Sequence, residues 1–478
     1  MLSSVSIVIV TWNKREDVLN LLDSLQVLDS SNTNIIIVDN ASSDGSSEAI
    51  RNHFLPVILL ENKENLGGTG GFNTGIRYAL NNLDQKYIWL LDNDAMVMPD
   101  TLENLIAAME TDASIGIAGS CILNPEDRTL IVEAGGYVDK RAATWKPNLR
   151  YQPYSKYKSS PPLDVDYVPA CSALVRKDLF DAVGILDERY FLHWDDVDFG
   201  STAKEKGFRV VAVLGSMVFH GTEKGYSNTV LYYDVRNSLL FISKHLSVFQ
   251  RILPMYRVCF RGLLAARLFK TLGEKLLSWY LYQALESFAS GRFGAAPLPP
   301  SQVNARVEVA ALSPDTMSKC TNVVVFAIGA SAEIISTIQL IHSAAPSASI
   351  TLAAASDRID SYRSCEAVDR FISYDLARQG IWGCSAFVFK LLRSRFDCAV
   401  SAGTGFVVPF TFFVRRHIVI KDEGMRIYKS NACQSSLWKI PIVVSVGFAI
   451  SLPGTIKCWL ASRKISNQGP NSSSFDKI

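Results

Sequence analysis

Two aspartates stand one residue apart at the end of a short apolar run. Residues 87–91 have the composition of a buried strand, and Asp92-Asn93-Asp94 follows directly. Two carboxylates this close together can coordinate one divalent cation. Their oxygens suit Mg²⁺ or Mn²⁺, and substrate phosphates often fill the remaining coordination positions of these ions. Taken alone, the tripeptide is also compatible with a solvated turn. The choice between a metal site and a turn therefore depends on the strands and helices predicted around the tripeptide.

The first hundred residues alternate between strand-like and helix-like segments. Buried strands are predicted at residues 5–10, 34–38, 57–60 and 87–91. Helices are predicted at 14–28, after the turn at 40–45, and from about 72 to 80. This order predicts an α/β domain with a mostly parallel sheet and helices on both faces.

Ligands of such sheets bind beyond the carboxyl ends of the strands. Thr11, Asn13, Asp39 and the glycine-rich segment 65–71 all fall there, together with the aspartate pair. Each has an ordinary structural explanation, since Asn13 could cap a helix, Asp39 could cap a loop and the glycines could form a tight turn. Together they place phosphate-compatible groups along one edge of one sheet.

The pattern continues further along the chain. Strands are predicted at 115–118, 131–138, 168–175 and 208–214, and residues 139–164 read as a long surface loop. Asp195 and Asp196 fall at a predicted helix N-terminus, where the helix dipole favours carboxylates. His220 follows the last of these strands and, alone, would be an ordinary partly buried histidine.

Composition limits the class of protein. With 478 residues the chain should hold more than one domain, and 48% hydrophobic residues supply an ample core. A net charge of +2 gives no bulk attraction for nucleic acid, so we expect no nucleic-acid partner. Nine cysteines without a Cys-x-x-Cys pair and an N-terminus without a signal-peptide pattern predict a cytoplasmic protein.

Residues 3–245 resemble the family 2 glycosyltransferases, which have the GT-A fold. The similarity rests on the order and spacing of several motifs over about half of the chain. They are Thr11-Trp12-Asn13, Val38-Asp39-Asn40-Ala41-Ser42-Ser43-Asp44-Gly45, residues 65–75, Asp92-Asn93-Asp94, Trp194-Asp195-Asp196-Val197-Asp198 and His220. The glycine run at 67–72 and Tyr233-Asp234-Val235-Arg236-Asn237 resemble the rhamnosyl- and galactofuranosyltransferase branch. Asp195 is a departure, because many relatives carry Glu there.

The resemblance implies an inverting transfer of a hexose from a UDP- or dTDP-sugar to a hydroxyl of a glycan or lipid-linked acceptor. It implies Asp94 and His220 as ligands of Mn²⁺ or Mg²⁺, Asp92 as a ribose or supporting contact, and Asp196 as the general base. The rival hypothesis is a non-catalytic sugar-nucleotide-binding or scaffold protein, which has no need for both Asp94 and Asp196.

The remaining site residues are expected to contact substrate. Trp194 could stack on a sugar face or be a core aromatic residue. Thr11, Asn13 and Asp39 are assigned to the nucleoside, Asn65, Gly68 and Asn73 to the nucleotide or its phosphates, and Asp195 to a supporting position beside the base.

The chain beyond the first domain, predicted as 1–247, divides into three parts. Residues 248–290 form a basic amphipathic helical segment that either lies on a membrane face or packs against the domain. Residues 291–320 are a predicted linker, and 321–478 a second, smaller Rossmann-like α/β domain without a complete catalytic set. Residues 440–456 carry no charge but are too short to span a bilayer, which predicts a core or membrane-dipping segment.

Overall fold

A computed structural model describes most of the chain. The described residues are 4–28, 32–125, 127–221, 228–271, 275–304, 320–327, 331–355, 359–363, 365–374, 394, 396–402, 416–421, 424–429 and 439–465.

The predicted alternation of strands and helices is confirmed in the first part of the chain. Its elements are β1 Val5–Thr11, α1 Arg15–Leu25, β2 Thr33–Asp39, α2 Ser46–Arg51, β3 Ile58–Glu61, α3 Gly67–Asn82 and β4 Tyr87–Asp92. The strands pair in parallel in the order β3-β2-β1-β4. Each βα connection crosses over to the next parallel strand, so the strand ends that carry Thr11, Asp39 and Asp92 meet at one edge.

The glycine-rich segment is helical, whereas a loop was expected before residue 72. The helix α3 begins at Gly67, so the glycines form its first turns. Gly67 adopts a φ of +73°, and a Cβ there would overlap the carbonyl of Phe191. A Cβ at Gly71 would overlap the side chain of Val10 on β1. Glycine therefore lets this helix approach both the sheet and the 191 segment closely.

The sheet becomes mixed beyond β4. The next elements are β5 Ala95–Val97, α4 Thr101–Thr111, β6 Ile115–Leu123, β7 Ile131–Glu133, β8 Gly136–Asp139, β9 Thr144–Pro147, β10 Leu163–Asp164, β11 Ser172–Arg176, α5 Lys177–Val183, α6 Asp195–Glu205 and β12 Arg209–His220. Strand β11 lies antiparallel between β4 and β6, while β6 and β12 are parallel. The predicted loop 139–164 contains β9, because residues 144–147 pair with β8 as a hairpin.

Helices cover both faces of this sheet. On one face, α1, α2 and α4 bury residues such as Val18, Ile50 and Met109. On the other face, α3, α5 and α6 bury Ile76, Phe180 and Ala203. The sheet is thus a rigid layer whose polar strand ends remain at its carboxyl edge.

Four helices follow, α7 Asn228–His245, α8 Ile252–Thr271, α9 Lys275–Ala289 and α10 Ser301–Asn304. Several arginines of the basic segment hydrogen-bond to backbone carbonyls of the protein. Arg257 donates to Arg141 and Arg261 donates to Ala142. These two arginines therefore pack against the rest of the protein, which was one of the two alternatives for residues 248–290. Within the predicted linker, residues 305–319 lie outside the described residues.

A second sheet occupies the C-terminal part. Its elements are β13 Asn322–Phe326, α11 Ser331–Ala344, β14 Ser349–Ala355, β15 Arg370–Tyr374, β16 Cys398–Ala402, β17 Arg416–Lys421, β18 Gly424–Lys429 and a final helix α12 Lys439–Ile465. The strand order is β15-β14-β13-β16-β17-β18, and only β18 runs antiparallel. The helix α12, which includes the uncharged run, packs against α8 and α9. The division into domains at 247, 290 and 320 stays a prediction. None of the helices within the described residues is both long and apolar enough to cross a membrane.

Candidate active site

Strand pairing brings His220 to the aspartate pair. β4 ends at Asp92, the chain turns, and β5 then pairs with β12 so that Ala95 lies opposite His220. The Nε2 atom of His220 lies 3.0 Å from Oδ1 of Asp94 and 3.6 Å from Oδ2 of Asp92. One potential ligand atom from each of the three residues lies within 4.8 Å of the others. The three side chains, which we call the metal triad, could together hold one divalent cation.

The pKa of the Asp94 carboxyl is suited to a metal ligand. Burial alone would raise the pKa of its carboxyl, but the hydrogen bond and charge of His220 outweigh burial and lower the pKa overall. Asp94 is therefore ionised at neutral pH, as metal binding requires.

Three of the predicted nucleoside contacts lie together at the neighbouring strand ends. Thr11 and Asp39 are partners in the β1–β2 register. The Asp39 carboxylate accepts a hydrogen bond from the Ser42 amide at 3.0 Å, and Oδ1 of Asn13 accepts one from the Ser43 amide at 2.7 Å. The amide of Asn93 donates to Thr11 Oγ1 at 3.1 Å, which ties this edge to the turn of the metal triad.

Asn40, to which no role is assigned from the sequence, organises the start of α3. Asn40 is buried, and its amide donates to the Gly67 carbonyl at 2.8 Å and to Asn65 Oδ1 at 3.1 Å. Asn65 in turn accepts a hydrogen bond from the Gly67 amide at 2.8 Å. Gly68, in the same turn, is partly exposed. The position of Asn40 in the motif Val38-Asp39-Asn40 is the one feature of the sequence that could have indicated this role.

Asn73 points away from this edge. It is fully buried, its Nδ2 donates to the Leu186 carbonyl at 2.8 Å and to Glu188 at 3.1 Å, and its Oδ1 accepts from the Leu186 amide at 3.1 Å. The expected nucleotide contact of Asn73 does not agree with this placement. Both donors of its amide and its oxygen hold the 186–188 segment against α3.

The segment before α6 carries the aspartate predicted as the base. Asp195 is the first residue of α6, and its Oδ2 accepts a hydrogen bond from Thr69 Oγ1 on α3 at 2.7 Å. Asp196 is partly buried beside it. Burial, then the negative charges of Asp195 and Glu133, raise the pKa of Asp196 well above its ordinary value. A carboxylate with a raised pKa is a better proton acceptor.

Trp194 occupies the core position that was its alternative. It is buried and packs against Phe241 of α7, with ring centroids 5.3 Å apart. Its left-handed φ of 71° turns the side chain into the protein at the point where α6 begins. In this placement it does not offer a ring face for a sugar.

Residues 6–184 match the glycosyl transferase family 2 model. This part of the chain is a family 2 glycosyltransferase domain. The predicted family and its GT-A fold are thus confirmed, with a mixed sheet in place of a mostly parallel one.

Curated relatives extend the similarity beyond this domain. Galactofuranosyltransferase GlfT2 of Mycolicibacterium smegmatis is 24% identical over 320 residues, which cover 62% of this chain and 48% of that protein. Galactofuranosyltransferase GlfT1 of the same organism is 27% identical, with 45% and 71% covered. N-acetylglucosaminyl-diphospho-decaprenol L-rhamnosyltransferase of Mycobacterium tuberculosis is 24% identical, with 45% and 75% covered. The chain thus spans about half the length of the first of these relatives.

Two adjacent buried side chains of α7, Arg236 and Asn237, contact the segment that precedes α6. Asn237 Nδ2 donates to the carbonyls of Tyr190, Leu192 and His193 at 2.8–3.1 Å. Arg236 donates to the carbonyls of Tyr190 and Gly294. We call residues 189–194 the base loop, because it leads into Asp195 and Asp196.

The base loop is strained as well as tethered. Phe191, His193 and Trp194 all have φ values between 62° and 71°, a region that residues other than glycine rarely adopt. Such a conformation persists when its surroundings over-determine it, and Arg236 and Asn237 supply those contacts. In the sequence the pair belongs only to the motif 233–237, and its contacts with the base loop follow from the fold.

Further ion pairs fix α6 itself. Asp198 is buried and accepts hydrogen bonds from Tyr190 at 3.0 Å, Lys244 at 2.5 Å and His245 at 2.8 Å. Burial would raise the pKa of Asp198, but Lys244 and His245 lower it to about 2. The start of α6 and the end of α7 are thereby joined.

One carboxylic acid near the base was not predicted. Glu133, the last residue of β7, is buried and accepts a hydrogen bond from the Tyr167 hydroxyl at 2.7 Å. Burial raises the pKa of Glu133 to about 7. No motif surrounds it in the sequence. Only the pairing of β7 with β6 brings it towards Asp196, whose pKa its charge helps to raise.

Proposed function

We propose that this protein is an inverting, metal-dependent glycosyltransferase that transfers a hexose from a nucleotide diphosphate to a hydroxyl group. The observation that carries the proposal is the metal triad at the carboxyl edge of the sheet; the charge of Asp92 also helps to raise the pKa of Asp196. A cation site next to a proton acceptor is what transfer from a diphosphate to a hydroxyl needs.

The protein's own residues divide this chemistry between them. Asp94 and His220 would hold a Mn²⁺ or Mg²⁺ ion, with Asp92 as a third ligand in place of the ribose or supporting contact expected from the sequence. The ion would supply positive charge to the departing diphosphate. Asp196 would accept the proton of the acceptor hydroxyl as that oxygen attacks the anomeric carbon. Attack from the side opposite the diphosphate inverts the anomeric configuration. Asp195, held by Thr69, would keep the start of α6 in place.

Substrate contacts follow from the same edge. Thr11, Asn13 and Asp39 would form the nucleoside pocket, and Asn65 and Gly68 would face the phosphates from the start of α3, where the helix dipole favours negative charge. We take UDP or dTDP as the nucleotide. Rhamnose or galactofuranose is the proposed sugar, because the relatives are named as galactofuranosyl- and rhamnosyltransferases.

The proposed acceptor is a glycan or lipid-linked hydroxyl in cell-surface polysaccharide synthesis. The name of the rhamnosyltransferase relative includes a diphospho-decaprenol acceptor, which supports a lipid-linked substrate. A water-insoluble acceptor would place the enzyme at the inner face of the cytoplasmic membrane, in peripheral contact with it.

The test is turnover of a panel of UDP- and dTDP-sugars with Mn²⁺ or Mg²⁺ and simple glycan acceptors. We expect one donor to be consumed, with release of the nucleoside diphosphate and a product of inverted configuration. Tight nucleotide binding without hydrolysis or transfer from any donor would instead support the scaffold hypothesis. The anomeric configuration is read by NMR of the product.

A further inference from the structure

Exposed apolar side chains gather at the start of α8 and along one side of α12. They are Phe249, Ile252, Leu253, Leu452, Ile456 and Leu460, each 47–84% exposed, and we call them the apolar rim. Leu452, Ile456 and Leu460 recur every four residues, so they share one side of the helix. With Pro453 and Lys457 they line a shallow hollow.

The two halves of the apolar rim adjoin each other. Arg251 donates to the Ser462 carbonyl at 3.1 Å, and the Trp459 indole donates to the Val248 carbonyl at 3.1 Å. The turn that carries Phe249 is therefore fixed against the last turns of α12. Exposed apolar residues scattered singly are normal, whereas a contiguous group marks an interaction surface.

The charge around the apolar rim indicates the partner. Helix α8 (Ile252–Thr271) contains four Lys or Arg residues and no Asp or Glu, and α12 (Lys439–Ile465) contains four and none. The whole chain carries only +2, so positive charge is concentrated in these two helices. Lys457 pairs with Glu286 at 3.0 Å.

We propose that the apolar rim docks the protein on the surface of an anionic lipid bilayer, with its side chains among the lipid headgroups and acyl-chain ends. An amphipathic surface with apolar side chains and flanking cations binds such a bilayer by apolar burial and electrostatic attraction together. This inference rests on the membrane location given in the proposed function, but it needs no transfer activity.

The experiment is co-sedimentation of the full chain with phosphatidylcholine vesicles, with and without phosphatidylglycerol. The wild type should bind when phosphatidylglycerol is present, and added salt should weaken binding. The double variant Ile456→Gln/Leu460→Gln removes two exposed side chains and should lower the partition coefficient about tenfold or more. Phe54→Gln, a control at a 68% exposed residue of the catalytic domain, should bind like the wild type.

Two results would overturn the proposal. One is the absence of phosphatidylglycerol-dependent binding by the wild type, or equal binding by the double variant. The other is a sedimentation-velocity change from oligomer to monomer in the double variant without vesicle binding by the wild type, which would make the apolar rim a contact between copies of the chain. Turnover of a soluble acceptor is measured in parallel, because its absence in both proteins counts against the proposed enzyme and not against docking.

Discussion

The side-chain amide of Asn237 lies 2.8 Å from the carbonyl oxygen of His193, two residues before the first aspartate of α6. This contact joins a helix that follows the catalytic sheet to the loop that presents the proposed base. The position of Asp196 therefore depends on a residue about forty positions further along the chain.

Replacing Asn237 by Ala should lower both stability and turnover. The carbonyls of Leu192 and His193 would lose this donor, while that of Tyr190 keeps Arg236, and each group left unpaired away from water costs roughly 1–3 kcal/mol. Ser243→Ala is the matched control, since Ser243 is buried on the same helix and donates only to Leu239 at 2.7 Å. Melting temperature and kcat are measured for both variants. If Asn237→Ala melts lower but turns over like Ser243→Ala, the base loop keeps its shape without this contact.

Asp94→Ala should abolish transfer and weaken binding of the nucleoside diphosphate. Binding of the nucleoside alone should survive, because its proposed pocket around Asp39 is intact. His220→Ala should raise the metal concentration required for activity, since one of three ligands is lost. Calorimetric titration with UDP and uridine, with and without Mn²⁺, measures these effects.

The control for the histidine is His53→Ala, which alters a histidine that is paired with Asp23 at 3.2 Å and is not part of the metal triad. It should leave the metal requirement unchanged. Full activity of chelator-treated wild type would show that the metal assignment is wrong.

Asp196→Asn should leave donor affinity near normal and reduce transfer at least about a hundredfold, since a general base contributes roughly 10²–10⁴ in rate. Asp195→Asn should be milder, because Asn can still accept the hydrogen bond from Thr69. If both are only helix-start carboxylates, each loses about 0.3–1 kcal/mol of stability and keeps its turnover. Steady-state kinetics distinguishes the two alternatives. A folded Asp196→Asn protein that works at the wild-type rate would show that Asp196 is not the general base.

Glu133→Gln should stabilise the protein at alkaline pH. The folded-state pKa of Glu133 is raised from 4.5 to about 7, so the unfolded chain ionises first and stability falls as pH rises between these values. Above pH 7 the variant avoids a cost of roughly 1–3 kcal/mol and still accepts the Tyr167 hydrogen bond. Denaturant midpoints at pH 5 and pH 8, in chelator, measure the difference. Glu64→Gln, at an exposed site, is the control; an equal response in both would contradict the burial of a protonated Glu133.

The sequence predicted those parts of the site that depend on local pattern. Strand ends and turn residues predict Thr11, Asp39, Asp92 and Asp94 at one edge, because parallel strands share that edge. His220 is expected there only from the family resemblance. The start of α3 was missed because glycine disfavours helices, and only close packing on Val10 explains it. The orientations of Trp194 and Asn73 were not predictable, since both depend on partners distant in sequence, Phe241 and Leu186.

The hydrogen bond from Arg236 to Gly294 bears on how far this catalytic unit can be separated from its neighbours. The family match ends at residue 184, before the base loop begins, and a boundary at 247 would cut α7 away from α9, on which it packs. A cut at 184 would remove the base loop together with Arg236 and Asn237, and a cut at 247 would remove the Gly294 carbonyl to which Arg236 donates. In a chimera that exchanges donor or acceptor specificity with another transferase, the transplanted segment would have to run through Gly294. Recombination at residue 184 or 247 would then give a protein whose sheets fold but whose proposed base, Asp196, is not held in position.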